Sequence, residues 1–142
     1  MVTTARVKWI EGSRFVGESQ SGHSVVMQGL PAEGEPSVGI RPMEMLLLGM
    51  GGCTAIDVVM ILQKAREAVT DVVVEIAGER ADSVPRVYER IHVHYVVTGR
   101  GLKKSAVERA IRLSAEKYCS ATLMLAATAD VTHDFEIVDA AD

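Results

Sequence analysis

The stretch Pro42–Arg66, PMEMLLLGMGGCTAIDVVMILQKAR, decides the fold. From Met45 to Leu62 almost every position is apolar or glycine, interrupted by Asp57. Pro42 suits the first turn of a helix, where its missing N–H is one that has no intrahelical partner anyway. A helix apolar on most sides is one that expects cover on most sides. Gly49, Gly52 and Cys53 fall at i, i+3 and i+4, so they share one face, and that face carries little side-chain bulk. A glycine inside a helix costs about 1 kcal/mol relative to alanine. Gly49, Gly51 and Gly52 therefore call for a compensating use, either close packing or access to Cys53.

Around this helix the period changes. Ala5, Val7 and Trp9 alternate with polar neighbours over 3–10, as in a half-buried strand. Strands are also expected at 14–19 and 23–28, with turns at Glu11-Gly12-Ser13 and Gln20-Ser21-Gly22, which makes an antiparallel meander. Residues 29–41, GLPAEGEPSVGIR, read as a linker loop. Beyond the helix, strands are expected at 70–81 and 87–98, where Ile91, Val93, Tyr95 and Val97 share a face and His92 and His94 the other. A helix follows at 103–118, then a short one at 121–127 with Ser120 as its cap, then a strand at 131–138. The tail to Asp142 is expected to fray. Strand runs separate from helix runs, so the class is α+β, with antiparallel sheets around a long central helix. One domain over 1–142 is expected, made of a meander (1–28), the linker (29–41) and a helix and sheet portion (42–142).

Composition narrows the function. A net charge of −4 argues against a broad nucleic-acid-binding surface. The central stretch is about long enough to span a bilayer, but Glu44 and Asp57 interrupt it and strands flank it, so a core helix is expected and no membrane partner. With no export signal in the first residues, the expected compartment is the cytoplasm, where free thiols are either inert core residues or redox-active. Cys53 and Cys119 form no C-x-x-C, so neither thioredoxin-type chemistry nor a closed zinc site has its spacing. If their two helical regions pack together, the sulfurs can approach disulfide distance. Cys119 at a helix start would have its thiolate favoured by the macrodipole. The plain alternative is that both are small buried hydrophobes. No phosphate-binding glycine loop, and no feature for a metal, nucleotide or flavin, is present: the GMGGC glycines sit inside an apolar helix rather than at a strand-to-helix turn. His92 and His94 are a weak metal pair, better read as a solvated sheet face.

The runs PMEMLLLGMGGCTAIDVVMILQK and SAEKYCSATLML, with RVKWIEGSRFVGES and HVHYVVTGR, resemble the OsmC/Ohr family of thiol-dependent peroxide-detoxifying proteins. The resemblance covers essentially the whole chain. It implies an intertwined homodimer in which two sheets wrap two central helices, a peroxidatic Cys53, a resolving Cys119, and an external dithiol reductant of the lipoyl type. It also implies an arginine oriented by a glutamate at the start of the central helix. The family's glutamate directly follows the proline; here that place is Met43, and the carboxylate is Glu44. For the arginine, Arg41 and Arg14 are the candidates, with Arg6 a further cation in the first strand. The expected function is reduction of organic hydroperoxides in oxidative stress defence, without a cofactor. The alternative is a non-catalytic dimer that holds a small hydrophobic ligand in its interface pocket.

Overall fold

Alternating side chains over the first 28 residues build three antiparallel strands, β1 (Ala5–Glu11), β2 (Arg14–Ser19) and β3 (Ser24–Gln28), in the order β1-β2-β3. The computed structural model describes residues 1–140; of the tail expected to fray after 138, Asp139 is still in a strand and the Ala140 N–H donates to the Gly99 carbonyl at 2.9 Å, while 141–142 lie outside the described residues. Trp9 faces Phe15, which faces Met27, while Val7 faces Gly17. These residues form one apolar face of the meander, and Val7 and Trp9 are each 61% exposed on it.

The loop at 29–41 is tied rather than slack. Gln28 is fully buried, and its Oε1 accepts from the backbone N–H groups of Val38 and Gly39 at 2.8 and 3.2 Å. Glu35 accepts from the Ala32 N–H at 2.9 Å and the Ser13 hydroxyl at 2.8 Å. Those bonds hold its carboxyl below the usual value.

Helix α1 (Pro42–Lys64) begins at its proline and ends two residues before Arg66, whose left-handed backbone (φ 60°) breaks the helical run. The chain divides into two units, Met1–Leu46 and Leu47–Asp142, with the boundary inside α1.

In the second unit, β4 (Ala68–Arg80) and β5 (Tyr88–Arg100) form a long antiparallel pair, and β6 (Asp130–Asp139) adds to β5 in parallel. The sheet order is β4-β5-β6. The expectation of antiparallel pairing thus holds for five strands and not for β6. A parallel neighbour needs a crossover, and the helical segment between β5 and β6 supplies it. That segment is α2 (Lys104–Leu113), a π-helical turn at Ser114–Tyr118, and α3 (Ser120–Ala126). The single helix expected over 103–118 therefore changes pitch at Ser114.

One face of β5, Ile91, Val93, Tyr95 and Val97, is buried with Val107, Ala110 and Ile111 of α2 and with a stripe on α1, Met50, Thr54, Val58 and Leu62. That stripe has the i, i+4 spacing of a single helix face. Within the chain, then, α1 is covered along one side. Leu48, Ile56 and Met60 are each more than 60% exposed.

The opposite face of the sheet carries the histidines. His92 Nε2 and His94 Nδ1 lie 3.0 and 2.7 Å from the same Asp134 Oδ1, and His92 Nδ1 lies 2.7 Å from Thr132 Oγ1. The hydrogen bond to Asp134 raises the His94 pKa, and its counterpart from His94, followed by that from His92, lowers the Asp134 pKa. A raised histidine adds stability below its ordinary 6.5 that is lost as pH climbs through the folded value. A lowered aspartate adds stability above its ordinary 3.8 that is lost as pH falls through the folded value. The pair is therefore strongest between those two ordinary values. In an NMR titration the His94 midpoint should lie above 6.5, and Asp134→Asn should bring it down.

Candidate active site

Two elements bring the cysteines together. Cys53 precedes Thr54 of the buried α1 stripe, so it stands at the stripe's edge and is half-buried. Cys119 follows the π turn, where its N–H donates to the Ser114 carbonyl at 2.8 Å, and it is fully buried. The two sulfurs and a carboxylate oxygen of Asp57 all lie within 4.8 Å of one another. Asp57 is one helical turn after Cys53, on the same side of α1. Two thiols and one carboxylate fall short of the four ligands of a closed zinc site.

Cys119, rather than Ser120, is the N-cap of α3. Its sulfur accepts from the Thr122 N–H at 3.3 Å and from the Thr122 hydroxyl at 2.9 Å. Its own S–H points to the Met50 carbonyl at 4.0 Å. The expected lowering of its pKa by the helix terminus is overturned. Burial pushes the Cys119 thiol up; Thr122 opposes that shift, and the neighbouring Cys53 adds to it. Desolvation of the charged form is the larger effect at a site with no exposed surface.

Behind the cysteines runs a row of buried hydroxyls. Thr54 Oγ1 is 2.7 Å from Tyr95 Oη and 2.7 Å from Ser114 Oγ, and Ser114 donates to Asp57 Oδ2 at 2.9 Å. In front of Asp57 lies a recess of about 680 Å³ walled by Met60, Ile61, Leu113 and Tyr118, with Lys64 and Arg109 supplying positive charge.

The other residues singled out from the sequence belong to the first unit and have local partners. Glu44 Oε1 accepts from the Arg41 N–H at 2.8 Å, the backward half of a capping box at the start of α1. The Arg41 guanidinium donates to the Gly39 carbonyl at 2.9 Å and to the Ser37 hydroxyl at 3.2 Å. Arg14 pairs with Glu11 and Glu35 at 3.5 and 3.6 Å. Asp57, Thr122 and the hydroxyl row were not singled out from sequence. Two local signals were nevertheless present: Asp57 at i+4 from Cys53, and Thr122 three residues after Cys119, at capping distance.

The family model for OsmC-like protein matches residues 33–134. Protein YhfA of Escherichia coli (strain K12) is 52% identical over 136 residues, spanning 96% of this chain and 98% of its own. The crystal structure of a hypothetical protein from Aquifex aeolicus VF5 superposes with a TM-score of 0.88 at 28% identity, covering 99% of both chains. An organic hydroperoxide resistance protein OsmC from Legionella pneumophila has the same fold, with a TM-score of 0.68 at 15% identity over 96% of this chain and 97% of its own.

The contacts around Cys119 set its titration. Thr122→Val removes the hydroxyl that opposes the burial effect. In a Cys53→Ser background, followed by thiolate absorbance, Cys119 should then titrate at a still higher pH than with Thr122 present.

Proposed function

Because the chain belongs to the OsmC-like family, we propose that it is a cysteine-based reductase of organic hydroperoxides, with Cys53 attacking and Cys119 resolving. The observation that supports this most is the meeting of the two sulfurs within 4.8 Å, brought from a helix face and a π turn far apart in sequence. The half-buried sulfur is the one a substrate can reach, and the fully buried one is kept for a partner inside the protein. A relative of the same fold is named for organic hydroperoxide resistance.

In this reading the Cys53 thiolate attacks the outer peroxide oxygen, the O–O bond breaks, and the alkoxide leaves as the alcohol. Cys53 becomes a sulfenic acid. Cys119 then displaces its hydroxyl as water, and the resulting disulfide is reduced by an external dithiol of the lipoyl type. The recess beside Asp57 offers apolar walls for the organic part of the substrate, and Lys64 and Arg109 are cations on its rim. The family resemblance implies a guanidinium for the alkoxide; of the candidates, Arg14 pairs with Glu11 and Glu35, and the Arg41 guanidinium with Gly39 and Ser37, while Glu44 accepts from the Arg41 N–H and orients neither guanidinium. Glu44 also closes the N-terminus of α1, so its loss should affect folding as well as rate. A cytoplasmic setting fits this chemistry, since it keeps a dithiol reductant available.

We assign a second copy of the chain as the cover for the open side of α1. Leu48, Ile56 and Met60 are exposed there, and a side chain at Gly49 or Gly52 would meet nothing in its own chain. An apolar helix face with two bare glycines allows close approach of another backbone.

Two measurements test this. Reduced protein mixed with cumene hydroperoxide should lose two thiols, turn over with a dithiol, and lose turnover by about a hundredfold or more in Cys53→Ser. An inert Cys53, together with a co-purifying apolar ligand, would favour the non-catalytic binding alternative. For assembly, light scattering should find a dimer, and Ile56→Asp should give monomers of reduced stability.

A further inference from the structure

The hydroxyl row behind the cysteines has a fixed direction. Ser114 spends its only hydrogen on Asp57 Oδ2. Its oxygen must then accept from Thr54, 2.7 Å away. Thr54 has thereby spent its hydrogen too, so it accepts from Tyr95, also at 2.7 Å. Burial keeps the Tyr95 phenol protonated and able to begin the row. Thr54, Ser114 and Tyr95 are all buried. Three hydrogen bonds in series thus end on one carboxylate and hold it beside the cysteine pair. A carboxylate offers about four lone-pair sites, so the Ser114 bond leaves others open.

Cys119 has the complementary need. It must lose a proton before it can attack, because the thiolate is the nucleophile. Burial works against this by disfavouring the charged form, and the neighbouring Cys53 adds to the effect; the two Thr122 donors favour the thiolate without outweighing burial, and the Met50 carbonyl at 4.0 Å is no base. The groups that face Asp57 are Cys53, Cys119 and the hydroxyl of Ser114, with Lys64 and Arg109 lining the recess before it. Asp57 is the one carboxylate in this set. Its distance to the sulfurs, at most 4.8 Å, is one that a single water or a small side-chain rotation closes.

We propose that Asp57 takes the Cys119 thiol proton as Cys119 attacks the oxidised Cys53, and hands it to the departing group. This deepens the reductase reading and rests on the two cysteines forming a disulfide. In the step the Cys119 S–H bond breaks and its proton moves to the Asp57 carboxylate. The S–S bond forms as the Cys53 S–O bond breaks. The leaving hydroxide takes the proton from Asp57 and departs as water, which restores the carboxylate. The sequence Cys53–SOH plus Cys119–SH thus gives the disulfide plus water, with nothing further consumed. The hydroxyl row aims and polarises the carboxylate and carries no proton in the step.

A peroxide-free assay isolates it. With 5,5′-dithiobis(2-nitrobenzoate), Cys53 releases one coloured thiolate and keeps the other as a mixed disulfide. Attack by Cys119 then releases the second, and that attack has the same proton to lose. In the intact protein two phases are expected. Asp57→Asn should slow the second phase by about tenfold or more at neutral pH, read relative to the first phase of the same variant. The gap should narrow as pH rises, because hydroxide replaces the missing base. Asp57→Glu should recover part of the rate, and added acetate should do the same for Asp57→Ala, a second route if the asparagine variant folds poorly. A merely structural role would produce neither the pH-dependent gap nor the acetate rescue. Second phases equal to that of the intact protein across pH in both Asp57→Asn and Asp57→Ala would overturn the proposal. An intact protein inert to hydroperoxide would sink the reductase reading, while the two-phase assay would still decide the role of Asp57.

Discussion

The hydroxyl of Thr54 is the constraint on which the second unit depends. It lies in the centre of the stripe that α1 buries, and a buried hydroxyl without partners costs about 1–3 kcal/mol. It finds them in Tyr95 on β5 and Ser114 at the end of α2, each at 2.7 Å. Those two bonds tie a helix, a strand and a second helix at one point and fix the rotation of α1 about its axis. Apolar packing alone tolerates small slips, whereas a hydrogen bond does not. With the rotation fixed, the residue before Thr54 is set at the stripe's edge, and Asp57 is set one turn along beside it.

The π turn completes the arrangement from the other side. A regular helix through Ser114–Tyr118 would carry the backbone onward with the α2 pitch. One wide turn lets the Cys119 N–H reach the Ser114 carbonyl and ends the helix there. Such turns are uncommon and concentrate where a side chain must be re-aimed. Here the re-aimed side chain is a thiol with no solvent exposure. Burial disfavours the Cys119 thiolate, so in the proposed mechanism the packing that holds this thiol is also what calls for a base nearby.

The open side of α1 and the apolar face of the meander share one feature: both expose large side chains, Ile56 and Met60 on the helix, Val7 and Trp9 on the strand. In the proposed dimer, the exposed apolar residues on one side of α1, next to two bare glycines, are the ones a second copy would cover.

Much of this was legible in one dimension. Strand alternation, the proline start of α1, the turn glycines and the change of period give the α+β class, because these patterns report local backbone geometry and one-sided burial. The parallel placement of β6 was not legible, since a crossover of that length can return the chain on either side of β5. Cys53 and Cys119 could be named from their sequence contexts, yet their separation, the burial of Cys119 and the direction of its pKa shift belong to packing. Glu44 looked like a site residue in the sequence and is engaged in the structure as a helix cap, because an N3 carboxylate satisfies the nearest free N–H. Asp57 looked like an interruption in an apolar helix. By itself the sequence determined which residues can be helix, strand and nucleophile. Only the tertiary structure decided which of them meet, because hydrogen bonds such as those of Thr54 join residues that local propensity leaves unrelated.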